Sequence, residues 1–157
     1  MIDQLKELLE MQRVLDESIF KEHGITEYPL ENMKLALFDE LGELLHEFPT
    51  KYKHWKKNAV DNREKGLEEY VDVLHFALSL NNYYGMSEYE EYEYESCISF
   101  ACFSWLLHRI YQEAVEQGFL LEYLFALGND LGFTWNEIYT AYKEKNAVNY
   151  ERLRNNY

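Results

Sequence analysis

From Leu67 to Leu80 the chain reads LEEYVDVLHFALSL. At about 100° per residue, its apolar side chains cover well over half the circumference of a helix. A helix apolar that far round is buried between neighbours. The remaining stripe holds Glu68, Asp72, His75 and Ser79, with Glu69 beside it, close in angle to Phe76. Carboxylates on a buried helix cost several kcal/mol each unless a cation or a donor compensates. Something positive is therefore expected in front of this stripe.

The rest of the chain is equally helical in pattern. Only 7 Gly and 2 Pro punctuate 157 residues, too few for a many-stranded sandwich or barrel. The length suits one domain, 1–157, with a sizeable core. The expected fold is an all-α bundle of five to six helices. The first runs from about Ile2 to Glu22 and stops at Gly24; the second covers about Leu30 to Phe48 and is ended by Pro49. Asp61 with Glu64 offers a capping box for the third, which runs to Tyr84 and stops at Gly85. An acidic, tyrosine-rich connector follows over Ser87 to Glu95. Further helix is expected over Ser96 to Gln117 and Leu120 to Leu131, as two elements or one bent one. Thr134 and Glu137 form a second capping box, opening a last helix that reaches at least Asn146.

The net charge of −14, from 29 acidic and 15 basic residues, disfavours nucleic acid and anionic membranes as partners. The first turns are interrupted by charge and no apolar run is long enough to span a bilayer, so a cytoplasmic protein is expected. Cys97 and Cys102 form no CxxC pair and read as reduced core residues.

Three more groups of polar residues are unevenly placed. In the second helix Leu37, Phe38, Leu41, Leu44, Leu45 and Phe48 share one arc, and Asp39, Glu40, Glu43 and Glu47 the opposite side. Taken alone, that is an amphipathic helix with a solvated acidic face. In the first helix Gln12 and Asp16 project from the middle of an apolar arc, four residues apart and so on one face. They are either a polar pair fixing a helix register or the floor of a ligand pocket. Ten of the 15 cations fall in two segments: Lys51, Lys53, Lys56, Lys57, Arg63 and Lys65 around Trp55, and Lys143, Lys145, Arg152 and Arg154 near the C-terminus. Such runs are either solvated charge or phosphate-binding groups. With the last helix continued, Lys145, Asn149 and Arg152 fall on the inward side with Trp135, Ile138 and Tyr142.

Glu40 and Glu43 are three apart, as are Glu69 and Asp72, so each pair sits on one helix face and can share a cation. All-oxygen ligation selects hard ions such as Mg²⁺ or Mn²⁺ over zinc. Two or more such ions would neutralise a triphosphate, and Lys or Arg would hold the oxygens they miss. Two other readings remain. Glu43 with His46 and Asp72 with His75 have the acid-x-x-His spacing of di-iron helical bundles. An acidic helical dimer that only binds a protein partner would need no metal at all.

At these residues the chain resembles the dimeric all-α dUTP pyrophosphatases, relatives of the MazG-like nucleotide pyrophosphohydrolases. The resemblance is carried by LALFDELGELLHEF (Leu35 to Phe48), KYKHWKK (Lys51 to Lys57), LEEYVDVLHFALSL, AYKEKNAVNYERLRNNY (Ala141 to Tyr157) and MQRVLDESI (Met11 to Ile19). It implies a homodimer that hydrolyses dUTP to dUMP and pyrophosphate, by attack of a metal-activated water on the β-phosphorus; dCTP or another (d)NTP is the alternative substrate. It implies an ExxE and ExxD site for Mg²⁺ at Glu40, Glu43, Glu69 and Asp72, with Glu40 assisting deprotonation and Glu43 beside it in the catalytic pair. Gln12 and Asp16 match positions that contact the nucleoside, and Trp55 matches an aromatic beside the base, with Lys53 and Lys56 in the same basic stretch. Lys145, Asn149, Arg152 and Tyr157 match a C-terminal segment closing over sugar and phosphates, and His75 is expected in the substrate-binding set. The sequence departs from the pattern at Leu153 to Asn156, where Gln-x-x-Gly is usual, and at Asp16, where asparagine is common.

Overall fold

The computed structural model describes residues 1–85 and 102–155. Among them are six α-helices and no strand: α1 (Ile2–Glu22), α2 (Leu30–Glu47), α3 (Arg63–Tyr84), α4 (Phe103–Glu116), α5 (Leu120–Asp130) and α6 (Trp135–Arg154), with a single 3₁₀ turn at Pro49–Lys51. The connector at Ser87 to Glu95, Cys97 and Tyr157 lie outside the described residues.

α3 is the hub, packing against α1, α2, α5 and α6, most extensively against α2. Its burial follows from its sequence: Tyr70, Val71, Val73, Leu74, Ala77, Leu78 and Leu80 are all buried, facing several neighbours at once. The Tyr70 hydroxyl is accommodated by donating to the Leu124 carbonyl at 2.9 Å. α2 contributes Leu37, Leu41, Leu44 and Phe48 to the same core, with Phe38 and Leu45 partly buried against it.

The helix ends are mostly where the local chemistry puts them. Gly24 and Gly85 take left-handed φ of 65° and 69° just past α1 and α3, a conformation glycine adopts without steric cost. At the start of α6 both halves of the Thr134–Glu137 capping box are formed. The cap of α3 is one residue later than Asp61: Asn62 accepts from the Lys65 amide at 3.2 Å. Asp61 is engaged elsewhere, accepting from the Thr50 amide at 3.0 Å and from its hydroxyl. α4 and α5 are two helices rather than one bent element, parted where Gln117 adopts a left-handed φ of 62°. The expectation of a buried Cys102 is corrected: it is the exposed N-cap of α4, one residue before Phe103 turns inward. Trp135 packs on the core, donates to Gln4 Oε1 at 2.7 Å and meets the Phe125 ring edge-on at 5.5 Å, whereas Trp105 is half-exposed.

Gly66 sits directly against the Phe48 ring at the end of α2. A Cβ there would stand 2.6 Å from Phe48 Cζ and closer still to Cε2, on a ring that is itself buried. Gly66→Ala should therefore push α3 off the α2 end, costing about 1–3 kcal/mol in urea unfolding. An unchanged midpoint would show that the ring simply swings aside.

Candidate active site

The α2–α3 pairing turns two helical spacings into one constellation. Glu40 and Glu43 from α2 and Glu69 from α3 each bring a carboxylate oxygen to within 4.8 Å of the others. Oxygens so spaced are near the span of a six-coordinate hard cation, whose opposite ligands lie about 4–5 Å apart. The electrostatics show why a cation fits. Burial, then the charges of Asp72, Glu43 and Glu69, push the Glu40 carboxyl up to about 7 against the pull of Lys145. Burial and Glu43 raise Glu69 as well, although Lys65 opposes them. Lys65 bridges the rim, 3.0 Å from Glu47 and 3.5 Å from Glu69.

Asp72 does not join this trio. One turn beyond Glu69, it is met by Lys145 Nζ from α6 at 2.5 Å, a pairing available because α6 packs along α3. Of the expected ExxD pair, Glu69 faces the other acids and Asp72 faces a lysine. Burial still raises Asp72, with the Lys145 bond and the Arg152 charge acting the other way. Each acid-x-x-His pair shares a cavity wall, Glu43 with His46 and Asp72 with His75. His46 is exposed, and His75 is buried against α1 and α6, so no histidine stands in the carboxylate cluster among the described residues.

Beside the acids lies a cavity of about 350 Å³, where Glu40 and Asp72 meet Lys145, Asn149 and Arg152 of α6. Its remaining wall is apolar, from Leu15, Ile19, Phe20, Met33 and Phe76, and is interrupted by Gln12, Asp16 and His75. Charged groups from α2, α3 and α6 thus share one cavity with a greasy surface from α1 and the start of α2. That combination suits a ligand with a polyanionic part and a flat or apolar part. Glu40 alone belongs both to the three-carboxylate cluster and to the cavity wall.

The polar pair of α1 is a wired floor. Gln12 Nε2 donates to Asp16 Oδ1 at 2.7 Å, while Gln12 Oε1 accepts from the Tyr142 hydroxyl at 2.8 Å. His75 Nδ1 also meets Gln12 Oε1, at 2.7 Å. An amide oxygen only accepts, so Nδ1 carries the hydrogen and Nε2 keeps a bare lone pair. That Nε2 is buried with no protein partner, and burial together with Lys145 pushes the imidazole down to about 3, keeping it neutral. The ring stacks on Tyr142 with centroids 4.2 Å apart. Asp16 also receives the Ser79 hydroxyl, which pairs with the Tyr28 hydroxyl at 2.8 Å. Burial raises Asp16 to about 6 in spite of both donors.

Lys53, Trp55 and Lys56 are not brought to this cavity. Their segment is folded on itself, with the Lys53 amide on the Pro49 carbonyl at 2.8 Å and the Lys56 amide on the Lys53 carbonyl at 2.9 Å, and it leaves Trp55 66% exposed. Residues given no role in the sequence also shape the site. Tyr28 and Ser79 complete the Asp16 network, and Phe20 and Met33 line the wall. Ser79 was visible on the polar stripe of α3; Tyr28 comes from the turn before α2, which carries no helical periodicity to place it.

No curated protein matches this chain in sequence. The sequence pattern of a family described as dUTPase matches it over residues 4–157, nearly its full length. With the helical architecture and the carboxylate cluster already in place, this match establishes that the chain belongs to the all-α dUTPase family.

Proposed function

We propose that residues 1–157 act as a single pyrophosphohydrolase domain, working as a cytoplasmic homodimer, that cleaves dUTP to dUMP and pyrophosphate with magnesium. The observation that carries this reading is the position of Glu40, the one side chain common to the acid cluster and to the cavity with Lys145 and Arg152. Glu40, Glu43, Glu69 and Asp72 would hold Mg²⁺, with Mn²⁺ as a substitute, because all-oxygen donors suit hard ions. When bound, such an ion supplies charge neutralisation for the polyphosphate and lowers the pKa of water.

The chain's own groups have separate tasks. Glu40, held near neutrality, takes a proton from the attacking water as its oxygen bonds to the β-phosphorus. The bond from that phosphorus to the oxygen bridging the α-phosphate breaks, so dUMP departs with the bridging oxygen and the water oxygen stays on the released pyrophosphate. Lys145 and Arg152 hold phosphate oxygens, with Asp72 aiming the Lys145 ammonium. Asn149, Gln12, Asp16 and His75 face the nucleoside. Lys53, Trp55, Lys56 and Tyr157 enter this assignment as groups that close on the nucleotide.

Pyrophosphate release from a panel of dNTPs, with and without magnesium, tests the whole. Turnover of dUTP that disappears with a chelator and returns with Mg²⁺ is expected. Equal melting temperatures with and without metal and nucleotide, together with no release, would instead favour an acidic helical dimer that only binds a partner.

A further inference from the structure

The carboxylates between α2 and α3 meet a lysine at each end. Asp72 is covered by Lys145, a group already assigned to the phosphates. At the other end Lys65 Nζ stands 3.0 Å from Glu47 of α2 and 3.5 Å from Glu69 of α3, so one ammonium spans both helices. Lys65 does not line the cavity shared by Lys145 and Arg152. It lines a second one, of about 250 Å³, with Asp39, Gly42, Glu43, His46 and Glu47. Its reach is to the acids and not to the nucleotide pocket.

Glu69 is the point of conflict. Its carboxylate is one of the three whose oxygens lie within 4.8 Å of one another, and it is also the farther partner of Lys65. Two cations drawn to one carboxylate repel each other, and the ammonium has already spent part of the attraction that an ion would use. Glu47, the nearer partner, stands outside the trio, so Lys65 can keep it while giving Glu69 up. We propose that Lys65 is a built-in competitor for the divalent cation: it neutralises the acids of the metal-free protein and, by holding Glu69, lowers the affinity of the site. Lys65 lies one helical turn before Glu69, so α3 itself fixes the contact without any help from substrate. Because the lysine is half-exposed, its pull is screened by salt. The inference rests on the cation-site reading above and deepens it.

The test is the dissociation constant of Mn²⁺ alone, read from the free-ion EPR signal at low ionic strength, for the unsubstituted protein, K65Q, K65R and K57Q. K65Q should bind Mn²⁺ about tenfold more tightly than the unsubstituted protein. Salt at about 1 M should shrink that difference to about twofold or less. K65R keeps the charge and should stay within about threefold of the unsubstituted protein. K57Q removes an exposed lysine outside both cavities and should change the constant by less than about twofold. Equal or weaker binding by K65Q, or equal tightening in K57Q, overturns the proposal and leaves the cation site standing. Absence of Mn²⁺ binding from both the unsubstituted protein and K65Q overturns the two together. Should K65Q not fold, K65M, which keeps most of the apolar stem, is read in its place.

Discussion

With glutamine at position 40, kcat for pyrophosphate release should fall by about 10²–10⁴-fold while nucleotide binding remains measurable by calorimetry. Glutamine keeps the length and shape of the side chain and removes only its ability to take a proton and carry charge. Glu43 and Glu69 still face each other, and Lys145 and Arg152 still line the cavity, so phosphate contacts survive. The fold should not suffer, because the lost charge sits beside Asp72, Glu43 and Glu69, which already oppose its ionisation. A kcat within about threefold of the parent would pass the proton-accepting role to another group.

Magnesium should stabilise the protein most above neutral pH. In the metal-free chain the Glu40 pKa is raised to about 7 from 4.5, so its favourable contribution is complete below 4.5 and is lost as pH rises through 7. Glu69 is raised too and acts in the same direction. Because Glu40 is partly solvated, the loss attributable to it is discounted to about 1–2 kcal/mol. An ion at one hundred times its dissociation constant returns about 2.7 kcal/mol, which for a chain of this size is about 5–10 °C in melting temperature. Scans at pH 5 and pH 8, with and without Mg²⁺, measure this. A shift that is absent at pH 8, or larger at pH 5, would mean that the three carboxylates hold no ion.

Helix boundaries were legible because their signals are local. Gly24, Gly85 and the Thr134–Glu137 box each act within one turn of where they stand. The exception is instructive: Asp61 was the better cap on paper, but Thr50, eleven residues earlier, claims its carboxylate, and Asn62 caps instead. Burial of α3 and of the Gln12–Asp16 pair was likewise readable, since both are anomalies of angle on a single helix. Lys145 and Asp72 both belonged to the expected site, but their pairing crosses two helices and cannot be read from the spacing on either one. Spacing along one helix names candidate partners; the packing of a second helix chooses among them. The His75 tautomer was hidden for the same reason, since it depends on an amide from α1 and a hydroxyl from α6 meeting at one oxygen.

The last turns of α6 are seated less deeply than the first. Ile138 and Tyr142 seat its first half in the core, and Tyr139 and Lys143 tie it to Glu7, but beyond Asn146 none of its described residues is buried. That end carries Asn149 and Arg152, two of the groups that reach the cavity. A polyanion drawn in beside it would add contacts where the helix is most exposed, so that capturing substrate and stiffening the end of the helix become one event.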